Sequence, residues 1–207
     1  MVIIALSKII LMRHVFDLDH TLLKGNVSFE FGKHLYKRGW ISSFQLLTLL
    51  FFYFRHKYFN LPLEDLHQAI FKRLFFGKKI SLIQHEVNLF LENLPDMLYQ
   101  PAFQRLEPSS LILSSSPDFL VVPLAKKLGV EGHGSTYAVD VDGQLSHISA
   151  IMDGDAKARL LPSPCTYYTD SILDLPTLKS ATHCVAVRPD KKLSKVAFLH
   201  GWEQLTK

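Results

Sequence analysis

The sequence predicts an α/β protein, a three-layer core on a mainly parallel sheet with a helical subdomain inserted into it. Short apolar runs bounded by turn residues recur at 14–18, 110–114, 166–169 and 183–187. That is the pattern of strands covered on both faces. Helical periodicity separates them, most clearly over 119–128 with Gly129 as the stop. Strand and helix in alternation give parallel strands joined by right-handed crossovers. From about residue 24 to 96, by contrast, no strand-like run occurs, whereas a crossover needs only about a dozen residues.

Taken in order, residues 1–12 are nearly all apolar but include Lys8. The segment is too short to span a bilayer and lacks the basic start and small-residue cleavage site of a signal peptide. It reads as a helical or strand extension on the core, with Met12 as an alternative start. The first strand runs into Asp17-Leu18-Asp19-His20-Thr21. Strand side chains alternate, so Asp17 and Asp19 point the same way. Two like charges so placed are costly unless a cation sits between them or one is protonated. Both devices serve phosphoryl transfer, although aspartates at strand ends are also ordinary turn and cap residues.

The insertion holds helical patterns at 29–38, 43–55, 63–76 and 80–91. Residues 24–98 carry ten basic and six acidic side chains, while the rest of the chain carries thirteen of each. The whole formal charge of +4 therefore lies in the insertion, together with 15 of the 24 aromatic residues. A small aromatic bundle with snorkelling lysines has this composition. So does a lid that attracts an anionic substrate and offers it an apolar surface.

Beyond the insertion, the second strand ends at Ser114, followed by Ser115-Ser116-Pro117-Asp118 and a helix start. A hydroxyl beside free backbone N–H groups makes an oxyanion site, or simply a helix cap. Residues 137–148 contain Asp142-Gly143, a hairpin signal. Lys157 follows, and Asp170 closes the next strand with Asp174 four residues on. Singly, these are a surface lysine and capping carboxylates. Their order is more informative: carboxylate pair, serine, lysine, carboxylate pair, each near a predicted strand end. In open α/β sheets the carboxyl ends of the strands form the ligand crevice.

With these motifs in place, the chain resembles the haloacid dehalogenase superfamily, and within it the phosphoserine-phosphatase-like subgroup with a helical cap between the first and second motifs. Residues 17–22 look like the first motif, 113–119 the second, Lys157 the third and 170–176 the fourth, and Ala186-Val187-Arg188-Pro189-Asp190 also follows the subgroup. The resemblance implies a Rossmann-like core from residues 1–23 and 99–207 and a cap from 24–98. It implies an Mg²⁺-dependent phosphatase with Asp17 as nucleophile and Asp19 as general acid and base. Asp17, the Asp19 carbonyl and Asp170 would hold the metal, with Asp174 in support. Ser114 and Lys157 would bind the phosphoryl group, aided by Ser115, and Thr21 would fix the loop. Two departures count against phosphoserine as substrate. Gly25-Asn26-Val27 has no acid where that subgroup reads the amine, and Ser115-Ser116 replaces a glycine pair. An aromatic, basic cap suits a bulkier anionic substrate such as a lipid phosphate.

Phosphotransfer to another acceptor uses the same residues and stays open as an alternative. So does a membrane-surface or protein-binding role for the apolar run at 44–54, flanked by Arg55-His56-Lys57. Nucleic-acid binding is not expected, because the excess charge is small and no binding motif occurs. Cys165 and Cys184 lie on separate predicted strands without zinc spacing, as reduced core thiols of a cytoplasmic protein.

Overall fold

A computed structural model describes residues 12–206, so the expectation for residues 1–11 lies outside the described residues. The core is a seven-stranded sheet in the order β4-β3-β2-β1-β5-β6-β7. Its strands are β1 (Arg13–Phe16), β2 (Leu111–Pro117), β3 (Glu131–Val139), β4 (Leu145–Ala150), β5 (Cys165–Thr169), β6 (His183–Val187) and β7 (Glu203–Leu205). All neighbours pair in parallel except β3 and β4, which form the expected hairpin. The sheet is thus the mainly parallel α/β core that the sequence predicts.

Two strand boundaries differ from expectation, and one strand is not foreseen. The first strand stops at Phe16 rather than residue 18. The Asp17 N–H still donates to the Tyr168 carbonyl at 2.9 Å, but the chain then folds into a tight turn over residues 18–22, with His20 at φ 55°. The second strand does not end at Ser114. After an irregularity it pairs again with β3 at Pro117, and Ser135 Oγ ties to the Ser115 carbonyl at 2.6 Å. The edge strand β7 has no counterpart in the sequence reading. Its three residues carry no usable periodicity.

Between β1 and β2 stand α1 (Val27–Lys37), α2 (Ser43–Phe59), α3 (Leu63–Leu74) and α4 (Ile80–Phe90), then the short α5 (Leu94–Met97) and α6 (Gln100–Phe103). α7 (Asp118–Lys127), α8 (Gly154–Leu160), α9 (Leu175–Ser180) and α10 (Lys191–His200) complete the core. The α2 helix runs four residues beyond the sequence expectation because it keeps apolar residues to Phe59 and ends on Asn60 in the left-handed conformation. The chain leaves and rejoins the core at one point. Leu23 pairs with Leu98, and the Lys24 and Tyr99 N–H groups donate to the Met97 and Leu22 carbonyls.

One apolar cluster joins the helices to the sheet. Phe31, Phe71, Phe75 and Phe90 pack in continuity with Phe16, Phe119 and Tyr137. Across this seam His67 of α3 meets the Tyr137 hydroxyl at 2.7 Å. His67 is buried, and burial first, then the charge of His56, lowers its pKa to about 4. The neutral imidazole hydrogen-bonds to the Tyr137 hydroxyl through Nδ1. The unfolded chain binds a proton near the ordinary value of 6.5, so stability falls as pH drops from about 6.5 towards 4. The loss from this group approaches about 3 kcal/mol, at 1.36 kcal/mol per pKa unit. The difference in urea unfolding between the wild type and His67→Gln across about pH 6.5 to 4 should show this slope, because buried carboxyls that titrate in the same window with the opposite sign mask it in the wild type alone.

Candidate active site

The first turn after β1 carries both carboxylates. Asp17 sits at the strand end, buried, with the Leu18 side chain anchored in the core behind it. Asp19 is held by three donors: the Val27 N–H at 2.7 Å, Asn26 Nδ2 at 2.8 Å and Ser116 Oγ at 2.9 Å. Asn26 caps α1, accepting from the Phe29 N–H at 2.9 Å. The entry to the inserted helices therefore also positions the second carboxylate.

Lys157 comes from α8 on the far side of the sheet order. Asp153 caps that helix, accepting from the Ala156 N–H. Gly154 lets it approach closely, because a Cβ there would stand 2.6 Å from the Leu173 carbonyl oxygen. This approach brings Lys157 Nζ to within 2.7 Å of Asp17 Oδ1 and 2.9 Å of both Asp174 oxygens. Asp174 also accepts from the Tyr167 hydroxyl at 2.8 Å and Thr169 Oγ1 at 2.7 Å. Lys157, Asp17 and Asp174 are all buried.

Burial raises the Asp17 carboxyl to about 7, with Lys157 opposing and Asp174 and Asp19 adding to the rise. Burial likewise raises Asp170 to about 8, reinforced by repulsion from Asp17, Asp174 and Asp19. Asp19 is raised by burial against its N–H and hydroxyl donors. For Lys157 burial acts downward, but the Asp17 and Asp174 carboxylates outweigh it and keep the ammonium charged. Negative charge is thus in excess here, as a site for a cation requires.

The donor set fits Mg²⁺. Among the described residues no three His, Cys, Asp or Glu side chains enclose a metal position by themselves. Mg²⁺ takes one or two carboxylates and completes its shell with waters and phosphate oxygens.

The other predicted residues lie in the same region with distinct surroundings. Ser114 is fully buried, and its Oγ accepts from the Ser116 N–H at 3.1 Å. Ser115 is partly exposed. Thr21 is fully buried, and its Oγ1 has no partner among the described residues. Sequence reading misses Asn26 and Ser116 as supports of Asp19, and Tyr167 and Thr169 as supports of Asp174. It also misses Tyr53 of α2, whose hydroxyl lies 3.5 Å from His20 Nε2. Ser116 and Tyr53 reach residues far off in the chain, whereas Asn26, Tyr167 and Thr169 lie within seven residues of the carboxylates they support. The Ser-rich run and the Asn before α1 are the only signals of these contacts.

Arg188 is a further support. Its Nη2 donates to the His20 and Leu23 carbonyls at 2.5 and 2.7 Å, and its Nη1 to the Lys24 carbonyl at 3.3 Å. The guanidinium stacks 4.1 Å above the Tyr99 ring. It ties the end of β6 to the turn that carries Asp19. Arg188→Met should therefore lower kcat about 10-fold or more and cost about 2 kcal/mol, the scale of one or two hydrogen bonds to a charged group. Steady-state kinetics together with urea unfolding would measure both.

Residues 14–179 match the family described as haloacid dehalogenase-like hydrolase. The chain belongs to that family. A phosphoserine phosphatase of Mycobacterium tuberculosis is 27% identical over 91% of this chain and 68% of its own length. A histidinol-phosphatase of Neisseria meningitidis is 24% identical over 92% of this chain and 96% of its own. A Bordetella pertussis protein of unknown function has the same fold, with TM-score 0.80 and 18% identity over 94% of this chain and 99% of its own. As a hydrolase of this family, the chain has its Asp17–Lys157–Asp174 cluster at the C-terminal ends of the central strands β1 and β5 and at the adjoining α8.

Proposed function

We propose that this hydrolase is an Mg²⁺-dependent phosphatase that cleaves a phosphomonoester through an aspartyl-phosphate on Asp17. The observation that carries the reading is Lys157 held at 2.7 Å from Asp17 by a buried Asp174 that Tyr167 and Thr169 hold in turn. Lys157 draws the Asp17 carboxyl toward its ionised form against a burial that raises it, and aims one of its oxygens. The relatives named as phosphatases support the same reaction class.

In the first step an Asp17 oxygen forms a bond to phosphorus as the phosphorus–oxygen bond of the ester breaks. Asp19 gives its proton to the leaving oxygen, a role suited to a carboxyl whose pKa burial raises. In the second step Asp19 takes a proton from water, the water oxygen attacks phosphorus, and the Asp17–phosphate bond breaks to release phosphate. Lys157 and Ser114 would balance charge on the phosphoryl oxygens. Asp17, the Asp19 carbonyl and Asp170 would hold Mg²⁺, which supplies charge neutralisation of the phosphoryl group. The helices of residues 24–98 would act as a cap that excludes water and selects the leaving group.

The substrate reading follows from Asn26. At the entry to the cap it binds Asp19 and the α1 terminus and offers no carboxylate to a substrate amine. A substrate bulkier than phosphoserine and without that amine suits the aromatic, basic cap. The test is phosphate release across soluble and lipid phosphomonoesters with Mg²⁺ and with chelator. Release that chelator abolishes, with phosphoserine poorly used, is the expected result. A folded, Mg²⁺-replete protein that releases phosphate from none of them would overturn the reading.

A further inference from the structure

The α2 helix differs from the other long helices around it. α1, α3 and α4 each bury a stripe of side chains, whereas α2 buries Leu49 alone among its seventeen residues. Phe44, Leu47, Phe51, Phe54 and Tyr58 fall within an arc of about 80° at 3.6 residues per turn. All five are exposed, from 49 to 77%. A contiguous apolar face of this kind marks an interaction site. Its ends are fixed in advance by a Ser42–Gln45 capping box and by Asn60.

Three cations border the face. Arg55 lies 5.9 Å over Phe51, Lys57 lies 5.9 Å over Tyr58, and Arg73 of α3 lies 4.8 Å over Phe52. None of the three is in an ion pair among the described residues. α2 itself contains no acidic residue. Large exposed aromatics on one helix face, with cations set over neighbouring rings, are the make-up of a helix lying in a bilayer interface.

We propose that α2 docks the protein on an anionic membrane surface, with its Phe and Leu side chains among the acyl chains and Arg55, Lys57 and Arg73 on lipid phosphates. A second copy packed face to face would bring the two sets of cations together without an acid on either helix. A lipid surface supplies the missing negative charge on every side. No helix among the described residues is long and apolar enough to cross a membrane, so the contact is peripheral. Tyr53 of the same helix reaches His20, so docking sets α2 between the lipid surface and the turn after β1. The docking itself does not depend on the reaction.

Co-sedimentation with vesicles of phosphatidylcholine alone, and of phosphatidylcholine with phosphatidylglycerol, tests this directly. At about 1 kcal/mol per cation near an anionic surface, three cations give a preference on the order of 100-fold for the anionic vesicles, and salt should erode it. The triple variant Leu47→Ser/Phe51→Ser/Phe54→Ser should lose binding at least 10-fold. Its circular dichroism, melting temperature and hydrolysis of a small soluble phosphate should stay as in the wild type. Equal binding to both vesicles, no binding, or full binding by the triple variant would overturn the proposal. A wild-type dimer in sedimentation that the triple variant abolishes would assign the face to a second copy and overturn it too.

Discussion

Asp17→Asn is expected to release no phosphate above background while melting at a higher temperature than the wild type. The amide is nearly isosteric but cannot carry the phosphoryl group, so the loss in kcat should reach at least about 10⁴-fold, beyond what loss of a proton-transfer group alone explains. The stability change has the opposite sign. The folded-state carboxyl titrates near 7 against an ordinary 3.8, so the folded chain holds a proton that the unfolded chain releases. Stability contributed by that proton is present below pH 4 and lost as pH rises through about 7. Asparagine removes this loss, and Lys157 keeps Asp174 as its partner. Even about 1 kcal/mol would raise Tm by roughly 2–4 °C in a chain of this size. Calorimetry at pH 7.5 and pH 4, beside a phosphate-release assay, checks both halves. A variant that is inactive and also less stable at neutral pH would contradict this account of the Asp17 environment.

Lys157→Met should show the second large effect, with both signs negative. Removing the ammonium leaves Asp17 and Asp174 buried without a countercharge, a change that costs about 3–5 kcal/mol when one partner of a buried pair is deleted. Activity should fall on the order of 10³-fold through lost stabilisation of the phosphoryl oxygens. The double variant Lys157→Met/Asp174→Asn should regain a good part of the stability and none of the activity. Urea unfolding of the single and double variants reads the coupling between the two side chains. If Lys157→Met alone were as stable as the wild type, the cluster would not be the buried charge network described above.

The carboxylates and Lys157 were legible from their order along an α/β chain, which sends strand ends to one edge. Asp17 and Asp19 are brought together by the tight turn over residues 18–22 rather than by the strand alternation that the sequence suggests. The supports of the cluster were not legible. Ser116 reaches Asp19 only because β2 continues past Ser114 through an irregularity in its pairing with β3. Arg188, at the end of β6, reaches the turn after β1 across the intervening strand β5, at a backbone φ of 44° that no residue pattern announces. Tyr53 meets His20 because the insertion folds back over the sheet. The four long helices were legible from their spacing, although α2 shows why spacing is insufficient. Its apolar run was open to a surface contact as well as to a bundle core, and the packing leaves Leu49 as its single buried residue.

The bridge between Leu23 and Leu98 makes the inserted helices a detachable module in the topological sense. Paired backbone positions stand about 5 Å apart, so the ends of a 74-residue excursion between them almost touch. Joining those ends would leave residues 17–23 and 98–110 to carry the chain from β1 to β2, more than the dozen or so residues a parallel crossover needs. Caps of any length could therefore be exchanged at this junction without altering strand order or the positions of Asp17, Lys157 and Asp174. The connection imposes almost no restriction on such exchange. What restricts it is the seam of Phe119 and Tyr137, which any replacement would have to cover again.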